Sequence, residues 1–208
     1  MTIKNLFKSI MAGFALSFGC IIYIALEHEN HIMGAALFSI GLLMIYMYGW
    51  NLYTGKACYI VDHAKDLFSY SGVMLSCFIG NLIGTSGMAF LMQQTKLKSL
   101  IPVAEEVAAS KLAGTPFSTF VMGIGCGVMM YVAVDSYNHA KDSVGKYLLL
   151  IMAIVIFTLS GFEHVVANMF YYTMGNAWDL NTLMYLVICC LGNTVGCSII
   201  PLAKKFTD

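Results

Sequence analysis

Six long apolar runs govern what this chain can fold into. They cover residues 6–26, 33–61, 68–92, 116–137, 147–173 and 182–203. A spanning helix needs about 20 mostly apolar residues, and each run is long enough to supply them. A bilayer offers backbone amides no water, so such runs must satisfy their own hydrogen bonds as helices. The expected fold class is therefore an all-α polytopic membrane protein with six transmembrane helices. Composition agrees. The 208 residues are 59% hydrophobic and 11% charged, against about 25% charged in a soluble domain, and the mean hydropathy is +0.78.

Eleven basic residues, all lysine, balance eleven acidic ones. No net field draws nucleic acid, and without arginine there is no bidentate clamp on a carboxylate or phosphate. The seven cysteines form no CxxC pair and sit in apolar runs. They read as small buried hydrophobes, so neither a metal site nor a cofactor is expected. Lys4 and Lys8 precede the first run in the manner of a signal peptide. That run continues to Leu26 without a convincing small-x-small cleavage site, and five more follow, so it reads as the first span.

Lysine placement sets the orientation. With the N-terminus inside, the inner segments hold Lys4, Lys8, Lys65, Lys141, Lys146, Lys204 and Lys205, and the outer ones Lys96, Lys98 and Lys111. Both termini are then cytoplasmic, in a plasma membrane (a bacterial cell membrane).

The second and fifth runs are too long for one simple span. Each has a polar interruption, Gly49-Trp50-Asn51-Leu52-Tyr53-Thr54-Gly55-Lys56 and Ser160-Gly161-Phe162-Glu163-His164. An internal repeat relates them. Gly80-Asn81-Leu82-Ile83-Gly84 and Gly192-Asn193-Thr194-Val195-Gly196 lie 112 positions apart, and the same offset carries Gly49-Trp50-Asn51 onto Gly161-Phe162-Glu163. The chain reads as one transmembrane domain, 1–208, with a first repeat over about 1–95 and a second over about 112–208. Three spans per repeat make the halves opposite in orientation: an inverted 3+3 repeat with broken second and fifth helices, which points to a substrate path at the breaks. The glycines of both Gly-Asn motifs read as close helix packing. Asn81 and Asn193 read as partners for backbone groups freed at the breaks.

Ionisable residues inside a membrane are costly and functional by default. Here they are Glu163, His164 and Lys56. Neighbours on a helix point about 100° apart, so His164 is expected to face the path and Glu163 to accept backbone N–H groups at the break. Thr54 follows the first break, and its hydroxyl can donate to an anion or to the imidazole. Lys56 reads as an anion lure or a snorkelling side chain. Lys111, after a polar outer loop, reads as a possible lure at a vestibule. Glu27-His28-Glu29-Asn30-His31 reads as a solvated loop, not a metal site.

Ser160-Gly161-Phe162-Glu163-His164-Val165-Val166-Ala167-Asn168-Met169-Phe170 closely resembles the fifth-helix signature of the formate/nitrite transporter family. Leu52-Tyr53-Thr54-Gly55 resembles that family's loop in the second helix, and Gly80-Asn81-Leu82-Ile83-Gly84 and Gly192-Asn193 fit in order and spacing. The resemblance implies an aquaporin-like fold in a homopentamer with one pore per protomer. It implies a central polar site of Thr54 and His164, a vestibule lysine at Lys111, and a cytoplasmic constriction of Phe38, Leu42 and Phe157. Asn168 joins Glu163, Asn81 and Asn193 as a structural residue near the breaks. Three departures stand out. The chain starts almost at the first span, so the family's amphipathic N-terminal helix is expected to be absent or reduced. Gly123-Ile124-Gly125-Cys126-Gly127 occupies a stretch where members often carry an asparagine near Gly127. Lys56 adds a cation beside the second-helix break.

The function implied is a channel for small monovalent anions of weak acids, formate or nitrite, with protons and the bilayer as partners. A bare charge does not cross greasy constrictions cheaply, so passage in protonated form is expected, with His164 as one source of the proton. A hydrosulfide channel or a proton-coupled transporter of short-chain carboxylates shares these features. A neutral-solute pore of aquaporin type would carry paired Asn-Pro-Ala motifs, which are lacking. An enzyme is not expected, because no nucleophile or metal set accompanies Glu163 and His164.

Overall fold

The computed structural model describes residues 2–207, and they are helical almost throughout. Four helices are long and apolar enough to cross a bilayer: α1 (Ile3–Leu26), α4 (Leu67–Gln93), α6 (Pro116–His139) and α9 (Leu180–Thr207). The other two apolar runs are each split. The second gives α2 (His31–Met47) and the five-residue α3 (Tyr53–Ala57); the fifth gives α7 (Ser143–Leu159) and α8 (Val165–Met174).

Both splits have one cause. Gly49 and Gly161 have φ of +64° and +66°, a region that side-chain-bearing residues avoid. Around Gly49, Trp50 N–H donates to Ile45 C=O and Gly49 N–H to Tyr46 C=O. Around Gly161, Phe162 N–H donates to Phe157 C=O and Gly161 N–H to Thr158 C=O. These are paired Schellman ends, and both hydrogen bonds of one map onto those of the other at the offset of 112 found in the sequence.

Packing follows the same pairing. α1 lies against α4 and α2, and α6 against α9 and α7. The long pairs approach until backbone touches backbone. A Cβ on Gly84 would strike the Ile10 carbonyl, and one on Gly196 the Ile124 carbonyl. The second-run fragment α3 and α8 fill the centre; apart from Thr173, every residue of α8 is buried. Large apolar side chains such as Leu37, Leu75, Ile83, Phe90, Leu148 and Leu191 stay on the outside, as suits a lipid-facing surface.

One segment differs from the sequence reading. The polar outer loop before Lys111 is ordered: a 3-10 turn over Lys96–Leu100 leads into α5 (Ile101–Leu112). Pro102 sits in its first turn, where a missing N–H costs nothing. Ala104, Val107 and Ala108 form its buried stripe. The segment is too polar to register as a span, yet this i, i+3, i+4 spacing was a readable helix signal.

Candidate permeation site

The breaks expose backbone groups, and one asparagine from each Gly-Asn motif meets them. Asn81 Oδ1 accepts from Tyr53 N–H at 2.8 Å, while its Nδ2 donates to Ser9 C=O at 2.7 Å and Asn51 C=O at 3.0 Å. Asn193 Oδ1 accepts from Val165 N–H at 2.9 Å, and its Nδ2 donates to Gly123 C=O at 2.9 Å and Glu163 C=O at 2.7 Å. Each amide binds two backbone groups at a break and one carbonyl of a neighbouring long helix. The four glycines around them set the helix crossings. Gly127 belongs to this packing: a Cβ there would strike the Asn193 carbonyl, so an asparagine at that position has no room.

Thr54 on α3 and His164 at the start of α8 meet between the breaks, Thr54 Oγ1 lying 3.0 Å from His164 Nε2. Both are buried, at 0% and 1% exposure. The ring's protonation follows from its second contact. Ala167 N–H donates to His164 Nδ1 at 3.1 Å, capping α8, so Nδ1 must be bare. The neutral ring then carries its proton on Nε2 and donates it to Thr54 Oγ1. That leaves the Thr54 hydroxyl hydrogen as the free donor.

Phe157 stacks on His164, with ring centroids 5.7 Å apart, and Phe38 meets Phe157 edge-on at 5.9 Å. These rings, His164 and Lys111 line one cavity of about 50 Å³. The expected trio is thereby divided. Phe38 and Phe157 stand on the Lys111 side of the His164 ring. Leu42, four residues or about 6 Å further along α2, is fully buried and lines neither this cavity nor the next. The next, of about 190 Å³, lies beyond Thr54. Leu52, Gly55, Trp50 and Lys56 line it.

Glu163 departs from its expected role. The break's N–H groups are taken by Asn193 and His164 instead, and Glu163 Oε2 receives Lys111 Nζ at 3.2 Å and Asn168 Nδ2 at 2.6 Å. The Lys111 and Glu163 side chains are 14% and 9% exposed. Lys111 is thus one half of a shielded ion pair, not a free cation in a loop, because α5 folds its last turn onto the second break. A third cavity, of about 240 Å³, adjoins the first: Lys111, Tyr23 and Gly161 line both, and Glu27 and Glu163 add carboxylates. Sequence reasoning missed Tyr23 and Glu27. At the same end Glu27 pairs with His31 at 3.0 Å and His28 with Glu106 at 3.1 Å. No metal-ligating cluster occurs among the described residues.

The family model described as formate/nitrite transporter matches residues 1–204. The formate channel FocA of Haemophilus influenzae is 30% identical over 154 residues, which are 69% of this chain and 54% of that protein. The chain thus spans little more than half the length of that relative. Among solved structures, an FNT family ion channel superposes with a TM-score of 0.88 at 22% identity, covering 99% of this chain and 90% of that one. A pentameric formate channel with formate bound gives a TM-score of 0.82 at 22% identity, covering 98% and 96%. Apolar helices able to cross a bilayer, a fold shared with these channels and a family match along nearly the whole chain have one meaning: this multi-pass membrane protein belongs to the formate/nitrite transporter family.

Proposed function

We propose that the chain forms a channel for small monovalent anions of weak acids, of the formate or nitrite class, and passes them as neutral acids. The observation that carries this is the Thr54–His164 hydrogen bond, set between two breaks and between two cavities. The reading includes six spans in an inverted 3+3 repeat, with α2–α3 and α7–α8 as the broken second and fifth spans of a single 1–208 domain. The common geometry at Gly49 and Gly161 supports it. It also includes a homopentamer, by likeness to the pentameric formate channel, in a bacterial cell membrane with both termini cytoplasmic, as the lysine bias favours.

The route runs from the Lys111 cavity past Phe38 and Phe157 to His164 and Thr54, then past Leu42 to the Lys56 cavity. Aromatic walls and about 50 Å³ of room disfavour a hydrated anion. Leaving water also raises an acid's pKa, so the acid takes up a proton before the constriction. His164 orients the passing molecule by fixing the Thr54 hydroxyl as donor. It stays neutral while Ala167 N–H occupies Nδ1, so the proton arrives with the acid.

Purified protein in liposomes tests this. Flux of formate, nitrite and hydrosulfide is measured over a range of pH, beside His164→Asn. The expected outcome is a selective flux that rises as pH falls and is strongly reduced in the variant. Flux independent of pH in both proteins sinks the neutral-acid route. Accumulation of the anion on the alkaline side of a pH gradient is expected too, because only the neutral acid crosses, and a preference for hydrosulfide reassigns the substrate.

A further inference from the structure

Two cysteines converge on the backbone of Thr54. Cys58 Sγ, one residue beyond α3, lies 3.2 Å from the Thr54 carbonyl oxygen, and Cys197 Sγ, on α9, lies 3.6 Å from it. The two sulfurs are 3.5 Å apart although 139 residues separate them in sequence. Among the described residues no other two sulfurs are in hydrogen-bond contact. Both residues are buried, at 1% and 0% exposure. A separate observation gives one of them a way out. Cys58 lines a cavity of about 60 Å³ with Tyr59, Asp62, Tyr131 and Asp135, at the end of the molecule where Lys204 Nζ meets Asp135 at 3.1 Å. The proposed permeation route uses neither thiol.

We propose that Cys58 and Cys197 are a redox-active dithiol, closed into a disulfide by a small uncharged two-electron oxidant of the hydrogen peroxide class. Burial excludes larger or charged reagents, and a molecule the size of peroxide fits the cavity beside Cys58. One sulfur attacks a peroxide oxygen and the O–O bond breaks, giving a sulfenic acid and one water. The second thiol then displaces the sulfenic oxygen as a second water, forming the S–S bond. Two thiol hydrogens and two electrons leave the protein, and peroxide is reduced to two waters.

Closure has a mechanical consequence. A disulfide needs its sulfurs about 2.05 Å apart, so they must approach by roughly 1.5 Å. The yielding part is α3, a five-residue helix that carries Thr54, whereas α9 is a 28-residue helix locked against α6. Tying α3 to α9 moves Thr54 relative to His164. The bond is expected to form under oxidative stress and to open again under a reducing cytosolic poise.

The full-length protein in liposomes is exposed to hydrogen peroxide, alkylated without reduction and digested. The expected result is a Cys58–Cys197 linked peptide, two free thiols lost from the seven, and restoration of both by dithiothreitol. Formate flux should fall on oxidation and recover on reduction, while Cys58→Ser and Cys197→Ala keep their own untreated rate. Seven thiols remaining, or a bridge between other cysteines, overturns the proposal on wild-type protein alone, whatever the variants do. This peptide arm is independent of the channel reading. The flux arm rests on it, so a bridge without any basal flux indicts the channel reading, and a bridge that leaves a measured flux unchanged overturns the gating consequence.

Discussion

Glu163 sits beside the proposed path, and its carboxylate meets Lys111. Two charges whose side chains are 14% and 9% exposed are tolerable together and costly apart, because each loses most of its hydration. Glu163→Gln leaves the ammonium without its counter-charge. The expected cost is about 3 kcal/mol in unfolding free energy, and Lys111→Met should cost a similar amount by stranding the carboxylate. The double variant removes both charges and should cost clearly less than the sum. Denaturant unfolding in detergent checks this; additive losses would mean that the two side chains do not interact. The pair also bears on the proposed entry of anions beside Lys111. Glu27 and Glu163 offset Lys111 in the same cavity, so the site does not act as a fixed positive trap. A mouth of this kind suits a substrate that sheds its charge on entry.

At the scale of elements, two glycines end two helices in the same left-handed conformation. Gly161→Ala and Gly49→Ala should each cost about 1–2 kcal/mol, the penalty for an L side chain at positive φ, with little steric burden, since a Cβ at either place meets no close atom. Gly196→Ala should cost more than either, because there a Cβ runs into the Ile124 backbone and must push α9 off α6. Thermal unfolding of the three variants side by side gives the ranking, and an equal loss in all three would refute the distinction between strain and crossing. These elements were legible in the sequence because their causes are local. A glycine between an apolar run and a polar one, repeated 112 residues on, marks a stop, and Gly-Asn-x-x-Gly marks a close crossing. Thr54 and His164 were legible because polar residues in an apolar run need a reason. The Lys111–Glu163 pair was not, since its partners are 52 residues apart and meet only once α5 folds over the second break.

At the scale of the whole molecule, α2, α3, α5, α7 and α8 all contribute to the proposed route, and its cavities lie among them. On the proposed reading a pentamer carries one route in each protomer. The outward leucines, isoleucines and phenylalanines can be covered by lipid or by a neighbouring copy without altering the contact between Thr54 and His164. Mixed assemblies separate the two architectures. Thr54→Val removes the hydroxyl donor while nearly keeping the side chain's shape, so a subunit carrying it should conduct poorly. Differently tagged wild-type and Thr54→Val chains, co-expressed at varied ratios and reconstituted, should lose formate flux in direct proportion to the variant fraction, because each protomer conducts alone. A route along the central axis would draw on all the subunits at once, and a minority of variant chains would then abolish most of the flux. Proportional loss would place the permeation step inside the protomer, where the two helix breaks meet.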